Sequence, residues 1–315
     1  MSNQLSIVHP ELQKIAKRLP HFNLSRRNLW FLRFLDKVLW RRKTPNDVSI
    51  QSLYAPRQDD PSQIRLRVYR PKAMSASAPA LLWLHGGGFV VGKPEQCDPY
   101  CIQYVRELGL VIFAVDYRHA PEYPFPSALN DSYTALEWVK SNAAPLGVDA
   151  NRIAIGGESA GGGLAAALVQ LACDRKEIKP IFQLLVYPML DDRTSIRTDL
   201  IDHGTLTWTQ ESNRFGWESY LGKECGAEDV PPYSVPARLV DLSALPPAWI
   251  GVGTLDLFHD EDIAYAQRLK DCGVACELHI VRGAFHGFDM TVPHSKVVQD
   301  FRKSQVAALR KYLLD

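Results

Sequence analysis

Short apolar runs alternate along the chain with longer segments in which apolar residues recur at helical spacing. Runs such as Ala80–Leu84 are continuous rather than alternating, which is typical of parallel strands covered on both faces. The pattern predicts strands at Asp47–Tyr54, Ile64–Tyr69, Ala80–Leu84, Leu110–Val115, Arg152–Ile155, Ile181–Tyr187, Ala248–Val252 and Glu277–Val281.

Helices are predicted between these strands, at Asp98–Glu107, Pro126–Asn142, Ser159–Cys173, Glu261–Cys272 and Lys296–Leu314. Because strands and helices alternate, the sequence predicts an α/β fold with a mostly parallel eight-stranded sheet and helices on both faces. The first two strands alternate apolar and polar residues more strictly and are expected to form an antiparallel edge. The last strand is expected near the opposite edge.

Two segments do not fit this alternation. Residues 1–45 are predicted to be helical, and Leu24–Lys43 mixes apolar residues with arginine and lysine. That helix either lies on the domain as a cap or binds a membrane surface, and the acidic Asp36 favours the cap. Residues 193–225 include an aromatic-rich helix around Phe215, which either packs on the core or lines an acyl or alcohol pocket.

The pentapeptide from Gly157 to Gly161 has the pattern G-x-S-x-G, with Ser159 at its centre. It stands between a predicted strand and a predicted helix, which is the context of a nucleophile elbow. Such a turn strains the serine backbone and requires small flanking residues, so glycine on both sides fits. The serine is therefore a candidate nucleophile at the C-terminal edge of the sheet.

A second motif, His85 followed by three glycines, ends the strand Ala80–Leu84. Consecutive glycines let successive backbone N–H groups point at one spot, where they can bind an oxyanion. A further donor is expected from Ala160, directly after the nucleophile. His85 is interpreted as a loop anchor, and the stretch Asp116–Glu122 as a brace with Arg118 and a nearby carboxylate at its core.

The acid and the base are expected to follow the serine in that order. Asp256 comes after the strand Ala248–Val252, and His286 comes after the last strand. Both loops reach the same edge of the sheet as the elbow, so His286 can accept the serine proton while Asp256 orients its ring. Asp260 and Asp192 are competing acids, but Asp260 is better explained as part of the first turn of the next helix.

Net charge and cysteine spacing exclude further classes of function. The chain has 315 residues and a net charge of +1, which gives no electrostatic reason to expect nucleic acid. Its six cysteines have neither metal-ligand nor redox spacing, so no metal is expected. Their even number is compatible with a set of disulfides. Buried free thiols in a reducing, cytoplasmic setting are the simpler interpretation. No signal peptide and no integral membrane segment are apparent.

In this order and context, the motifs resemble those of the hormone-sensitive-lipase-like carboxylesterases, α/β-hydrolases also called the bacterial family IV esterases. The resemblance spans roughly residues 45–315. It implies hydrolysis of short- to medium-chain carboxylic esters, a small-molecule substrate and no cofactor. It also implies that Ser159, Asp256 and His286 are the triad. The oxyanion donors that it implies are Gly86, Gly87 and Ala160.

The resemblance further implies a helical cap made of residues 1–45 and 193–225, over a catalytic domain made of residues 46–192 and 226–315. A homodimer through the final strand and helix is compatible with the family. Six side chains near the motifs are expected to line the substrate pocket: Phe89, Glu158, Trp208, Phe215, Leu257 and Phe288.

Two departures from the family pattern leave substrate preference open. Glu158 stands where many members have Asp before the nucleophile, and Leu257 stands where many have Pro after the catalytic acid. The alternatives are an amidase, deacetylase or lactonase with the same triad, or a lipase that acts at interfaces. A non-catalytic ligand-binding protein, like the gibberellin receptors, ranks low because those relatives have lost the histidine that is present here as His286.

Overall fold

The computed structural model describes residues 5–19, 23–39, 45–74, 77–200 and 206–315. In this part of the chain eight strands form one sheet, in the order β1-β2-β4-β3-β5-β6-β7-β8. The strands are β1 (Val48–Pro56), β2 (Gln63–Pro71), β3 (Ala78–Leu84), β4 (Val111–Asp116), β5 (Val148–Glu158), β6 (Gln183–Val186), β7 (Ala248–Gly253) and β8 (Cys276–Val281).

The α-helices within the described residues are α1 (Gln13–Ala16), α2 (Leu29–Leu39), α3 (Asp98–Leu108), α4 (Ser127–Ser141), α5 (Ala143–Leu146), α6 (Ala160–Arg175), α7 (Gln210–Leu221), α8 (His259–Asp271), α9 (Phe288–Thr291) and α10 (Lys296–Leu313). Short 3-10 helices lie at Pro10–Leu12, Pro94–Cys97, Asp192–Ile196 and Pro236–Arg238.

The predicted α/β architecture is confirmed. From β4 to β8 neighbouring strands run parallel, whereas β1 pairs with β2, and β2 with β4, in antiparallel fashion. β8 lies at the far edge, as its alternating sequence indicates. β5 begins at Val148, earlier than the predicted Arg152, because the register shifts between Ala78 and Ala80 and lets Val148 pair with Ala78.

Strand β3 illustrates why the apolar runs are continuous. All seven of its residues are buried, and successive side chains belong to different core clusters. Leu82 and Leu84 pack in one cluster, while Leu81 and Trp83 pack in the other. Since side chains alternate between the two faces of a strand, helices must cover both faces of the sheet.

The two segments that interrupt the alternation contact each other. The backbone N–H of Leu24 donates to Ser212 Oγ at 2.9 Å. α7 begins after Thr209, whose hydroxyl accepts from the Ser212 N–H as a helix N-cap. α2 is shorter than the predicted helix Leu24–Lys43, because residues 26–28 form a turn before it. Residues 40–43 of that prediction lie outside the described part.

Two expectations from composition are also addressed by the structure. All six cysteines are free thiols, but only Cys97, Cys101 and Cys225 are buried, while the other three are half-buried. Among the helices that the structure describes, none has both the length and the apolar character needed to cross a bilayer.

Candidate active site

Ser159 lies between β5 and α6 in a backbone conformation that serine rarely adopts, with φ 55° and ψ −126°. Its neighbours have no room for side chains. A Cβ atom at Gly157 would lie 2.3 Å from the carbonyl oxygen of Gly161, and one at Gly161 would lie 2.1 Å from that of Leu84. The glycines therefore permit the tight turn that holds the serine above the sheet edge.

The structure brings the three predicted catalytic side chains together. The distance from His286 Nε2 to Ser159 Oγ is 2.8 Å, and that from His286 Nδ1 to Asp256 Oδ2 is 2.9 Å. Asp256 is fully buried, and its other oxygen accepts a hydrogen bond from the Phe258 N–H at 3.0 Å. With Nδ1 protonated, the ring donates to the carboxylate and presents Nε2 as the acceptor of the serine proton.

Aromatic rings fix the imidazole of His286 from two sides. Tyr187 and Phe258 contact it edge-on, with ring centroids 4.8 and 5.0 Å away. Thr207 Oγ1 also donates to the carbonyl oxygen of His286 at 2.6 Å. Sequence reasoning missed these three residues, because their roles depend on loops that meet only in the folded chain.

The competing acids have other partners. Asp260 lies in the first turn of α8, as predicted, and its carboxylate pairs with Arg197 at 2.9 Å. Asp192 is fully buried and pairs with Arg238 at 2.8 Å. Asp256 is the carboxylate that meets His286.

The glycine loop after β3 lies beside the nucleophile, but its donors differ from those implied by the resemblance. The Gly86 N–H donates to Glu158 Oε1 at 3.2 Å, so in this structure it is engaged within the protein. Gly87 and Gly88 have φ values of +126° and +59°, and their N–H groups have no hydrogen-bond partner among the described residues. Ala160, the first residue of α6, has no N–H partner within its helix. The available donors are therefore Gly87, Gly88 and Ala160.

Glu158 is buried beneath this loop rather than in contact with substrate. Its carboxylate accepts hydrogen bonds from Trp83 Nε1 and Gln96 Nε2, each at 3.0 Å, and from the Tyr100 hydroxyl. Burial raises the pKa of Glu158 above its ordinary value, and the hydrogen bonds from Tyr100, Gln96 and the Gly86 N–H oppose part of that rise. The side chain thus ties the nucleophile elbow to α3 and to the glycine loop.

His85 anchors the start of the glycine loop, as interpreted from the sequence. Its ring is fully buried and stacks on Tyr117 at a centroid distance of 4.3 Å. Its Nδ1 lies 2.8 Å from the carbonyl oxygen of Gly86, and Tyr117 donates to the carbonyl oxygen of His85 at 2.6 Å. Burial lowers the pKa of His85, which favours a neutral ring.

The predicted brace is also present. Arg118 pairs with Asp131 at 2.9 Å and with Asp59 at 2.8 Å. Asp131 is almost completely buried and also pairs with Arg57 at 3.0 Å. Two arginine partners offset the cost of burying the Asp131 carboxylate. The network therefore holds the loop that follows β4 against α4.

Four of the six predicted pocket residues do not line an open pocket. Phe89, Glu158, Leu257 and Phe288 are only 0 to 3% exposed, so no solvent-filled space reaches them. Phe89 stacks on Tyr220 of α7 at 4.1 Å, Leu257 and Phe288 pack in the two core clusters, and the Glu158 carboxylate is enclosed by its hydrogen-bond donors.

Trp208 and Phe215 are half-buried, and Trp208 lies next to the glycine loop. A Cβ atom at Gly88 would lie 2.4 Å from Trp208 Cη2, and the indole centroid is 6.2 Å from that of His286. The indole N–H donates to Asn213 Oδ1 at 3.2 Å, which fixes its orientation. Within the described residues, no group of three His, Cys, Asp or Glu side chains is arranged to hold a metal.

Comparisons with known proteins agree with this geometry. Residues 81–290 match a family described as having the alpha/beta hydrolase fold. The carboxylesterase NlhH of Mycobacterium tuberculosis (strain ATCC 25618 / H37Rv) is 36% identical over 233 residues, which cover 73% of this chain and 72% of that protein. An ethyl acetate hydrolase of Pseudomonas putida is 34% identical over 237 residues, covering 75% and 70%.

Solved structures extend the likeness to nearly the whole chain. A bacterial heroin esterase superposes with a TM-score of 0.91 at 36% identity, covering 99% of both chains. The esterase LipW from Mycobacterium marinum superposes with a TM-score of 0.88 at 32% identity, covering 99% of this chain and 98% of that one. The chain belongs to the hormone-sensitive-lipase-like family of α/β-hydrolase carboxylesterases.

Proposed function

We propose that this carboxylesterase hydrolyses short- to medium-chain carboxylic esters through an acyl-enzyme formed on Ser159. The observation that carries the proposal is the pair of short contacts made by His286, one to Ser159 Oγ and one to Asp256. Such a chain of hydrogen bonds activates a serine hydroxyl that is otherwise a weak nucleophile.

In the first step, Ser159 Oγ bonds to the ester carbonyl carbon while its proton passes to His286 Nε2. Asp256 stabilises the imidazolium that forms. The carbonyl oxygen becomes an oxyanion that accepts hydrogen bonds from Gly87, Gly88 and Ala160, and each such donor contributes about 3 kcal/mol to lowering the barrier. The carbon–oxygen bond to the alcohol then breaks, and His286 returns the proton to the leaving alkoxide.

In the second step, water repeats the attack on the acyl-enzyme. His286 takes one water proton, the new oxyanion forms at the same donors, and the bond to Ser159 breaks as the serine regains its proton. The products are the free acid and the enzyme. The two steps balance with the ester and water alone, so the proposal includes no cofactor.

Trp208 supports a preference for small acyl groups. Its indole lies against Gly88 and near His286, and it therefore limits the space beside the reacting carbonyl. The relative from Pseudomonas putida is named for the hydrolysis of ethyl acetate. Both observations favour the short end of the range.

We also assign residues 1–45 and 193–225 to a cap over the site, and the remainder to the catalytic domain. The hydrogen bonds from Leu24 to Ser212 and from Thr209 to Asn23 join the two segments, which supports the assignment of both to one cap. Trp208 and Thr207, which belong to the second segment, contact the glycine loop and the His286 loop. A cap in this position would select the alcohol and acyl groups.

The amidase and lactonase alternatives use the same attack and differ in the leaving group, so only substrates can separate them. We would compare p-nitrophenyl esters from acetate to palmitate with p-nitroacetanilide, using the wild type and Ser159→Ala. The proposal predicts turnover that peaks on short esters and is lost in the variant. The proposal would be contradicted by a folded protein that cleaves the anilide faster than every ester. A folded protein that cleaves none of these compounds would contradict it as well.

A further inference from the structure

The outer face of α2 carries three large aromatic side chains that no other described part of the chain covers. Trp30 is 71% exposed, Phe31 45% and Phe34 57%. Trp30 and Phe34 are four residues apart and so lie on the same side of the helix, and the rings of Trp30 and Phe31 are 5.9 Å apart. Together these three side chains form what we call the aromatic face.

The aromatic face is exposed because the opposite side of α2 is anchored by polar contacts. Arg33 donates from Nε to the carbonyl oxygen of Val90 at 2.8 Å and pairs with Glu122 at 2.8 Å. Asp36 accepts from the Gly92 N–H at 2.9 Å. The apolar stripe of this helix therefore lies on the domain only in part: Leu29 is buried and Leu32 packs against the core, whereas the three aromatic side chains are exposed.

Positive charge is concentrated in the same segment. Residues 24–43 contain seven Arg and Lys residues and one acidic residue, whereas the whole chain has 36 basic and 35 acidic residues. The rest of the chain therefore carries five more acidic than basic residues. Arg26 and Arg27, one turn before the aromatic face, are exposed.

We infer that the aromatic face docks on the surface of an anionic phospholipid membrane, with the helix lying in the interface. Helices of this kind insert Trp and Phe side chains among the acyl chains while Arg and Lys attract anionic headgroups. Trp in particular favours the headgroup region. The helix would lie on the bilayer and not cross it.

The placement of the anchors gives this surface a direct relation to the glycine loop. Val90 and Gly92, which bind Arg33 and Asp36, follow the oxyanion glycines within a few residues. A membrane bound at the aromatic face would therefore lie on the far side of one helix from that loop. The inference itself rests on exposure and charge and does not depend on the proposed chemistry.

A second copy of the chain fits this surface less well than a membrane. A symmetric contact between two aromatic faces would bring Arg26 and Arg27 of both copies close together, and like charges across an interface oppose association. An anionic surface has the complementary charge.

The test is co-sedimentation of the full chain with vesicles. We would compare vesicles of equal parts phosphatidylcholine and phosphatidylglycerol with vesicles of phosphatidylcholine alone, at low and high salt. The wild type should bind the anionic vesicles at low salt and bind pure phosphatidylcholine about tenfold less. The triple variant W30S/F31S/F34S and the double variant R26Q/R27Q should each lose about tenfold in binding to the anionic vesicles.

A matched control, Y54S/I280S, removes exposed apolar side chains elsewhere on the surface and should bind like the wild type. Every variant should keep the circular dichroism spectrum and the melting temperature of the wild type, which shows that it is folded. Equal binding by the wild type and W30S/F31S/F34S would overturn the inference, as would no binding by the wild type. A dimer in analytical ultracentrifugation that W30S/F31S/F34S converts to monomer would also overturn it and assign the face to a second copy.

Discussion

Glu158 accepts a hydrogen bond from the backbone N–H of Gly86, at 3.2 Å, and so joins the residue before the nucleophile to the loop that carries the oxyanion donors. The same carboxylate accepts hydrogen bonds from Trp83, Gln96 and Tyr100. Its neighbours are N–H and O–H groups that can all donate to it. This position, where the chain departs from the Asp of many relatives, therefore sets the distance between elbow and loop, and we describe Glu158 as a positioning residue.

Replacing Glu158 by Gln should lower kcat about ten- to a hundredfold with little change in KM. The amide presents an NH₂ group to partners that are themselves donors, so the glycine loop shifts. The shift moves the oxyanion donors out of line with the transition state, whereas binding of the uncharged substrate changes less. Steady-state kinetics on p-nitrophenyl butyrate, well below the melting temperature of the variant, measure this. Glu137→Gln, at a half-buried position of α4, is the control. A rise in KM with unchanged kcat would show that Glu158 serves substrate binding instead.

Replacing Asp256 by Asn should lower kcat by about four orders of magnitude while the fold is retained. The oxygen of the amide keeps the hydrogen bond from the Phe258 N–H, so its NH₂ group donates to His286 Nδ1 and favours the wrong tautomer of the ring. The neutral amide also does not stabilise the imidazolium. Asp260→Asn should change kcat little, because Asp260 pairs with Arg197 at the start of α8. The comparison of kcat for the two variants decides between the acids, and a large loss in Asp260→Asn alone would reverse the assignment.

Replacing Trp208 by Ala should shift the preferred ester toward longer acyl chains. The indole lies against Gly88, and its removal opens space beside the carbonyl that additional methylene groups can fill. We expect kcat/KM for p-nitrophenyl octanoate to rise about tenfold relative to that for the acetate. Trp138→Ala, in α4, controls for the general loss of an indole. An unchanged chain-length profile would mean that the acyl group lies elsewhere.

Asp262 should make the chain less stable as the pH rises. It is fully buried, and neither carboxylate oxygen has a hydrogen-bond partner among the described residues. Burial raises the pKa of Asp262 well above its ordinary value, and the nearby Glu261 and Asp256 raise it further. Because the folded pKa exceeds the unfolded one, the stability from this group is complete below the unfolded pKa and is lost as pH rises toward the folded pKa.

Denaturant unfolding from pH 4 to pH 9 can check this. The free energy of unfolding of Asp262→Asn minus that of the wild type should increase with pH, by at most about 1.4 kcal/mol per pH unit. Asp271→Asn, at the exposed end of the same helix, should show no such slope. A difference that is constant over the whole range would contradict the raised pKa.

The sequence predicted the sheet, its edges and the three residues that meet at the triad, because each depends on local patterns. Continuous apolar runs such as Ala80–Leu84 require a strand buried on both faces, and the order of Ser159, Asp256 and His286 follows the strand ends. The boundary of β5 was less predictable, since it depends on a register shift in its partner strand.

What the sequence could not predict depends on contacts between distant segments. The Gly86 N–H is occupied by Glu158, 72 residues later, a contact that no local pattern shows. The burial of Phe89 is decided by Tyr220 of α7. The side of α2 that faces the domain carries the polar contacts of Arg33 and Asp36 together with Leu29, and the larger aromatic residues of the stripe face outward.

Covalent labelling tests most directly whether Ser159 forms the acyl-enzyme. We would treat the wild type with the organophosphate diethyl p-nitrophenyl phosphate and locate the adduct by peptide mass spectrometry, with Ser159→Ala and the exposed Ser141→Ala alongside. We expect one phosphoryl adduct, on Ser159, in the wild type and in Ser141→Ala, and none in Ser159→Ala. An adduct on another residue that persists in Ser159→Ala, together with retained ester hydrolysis, would contradict it.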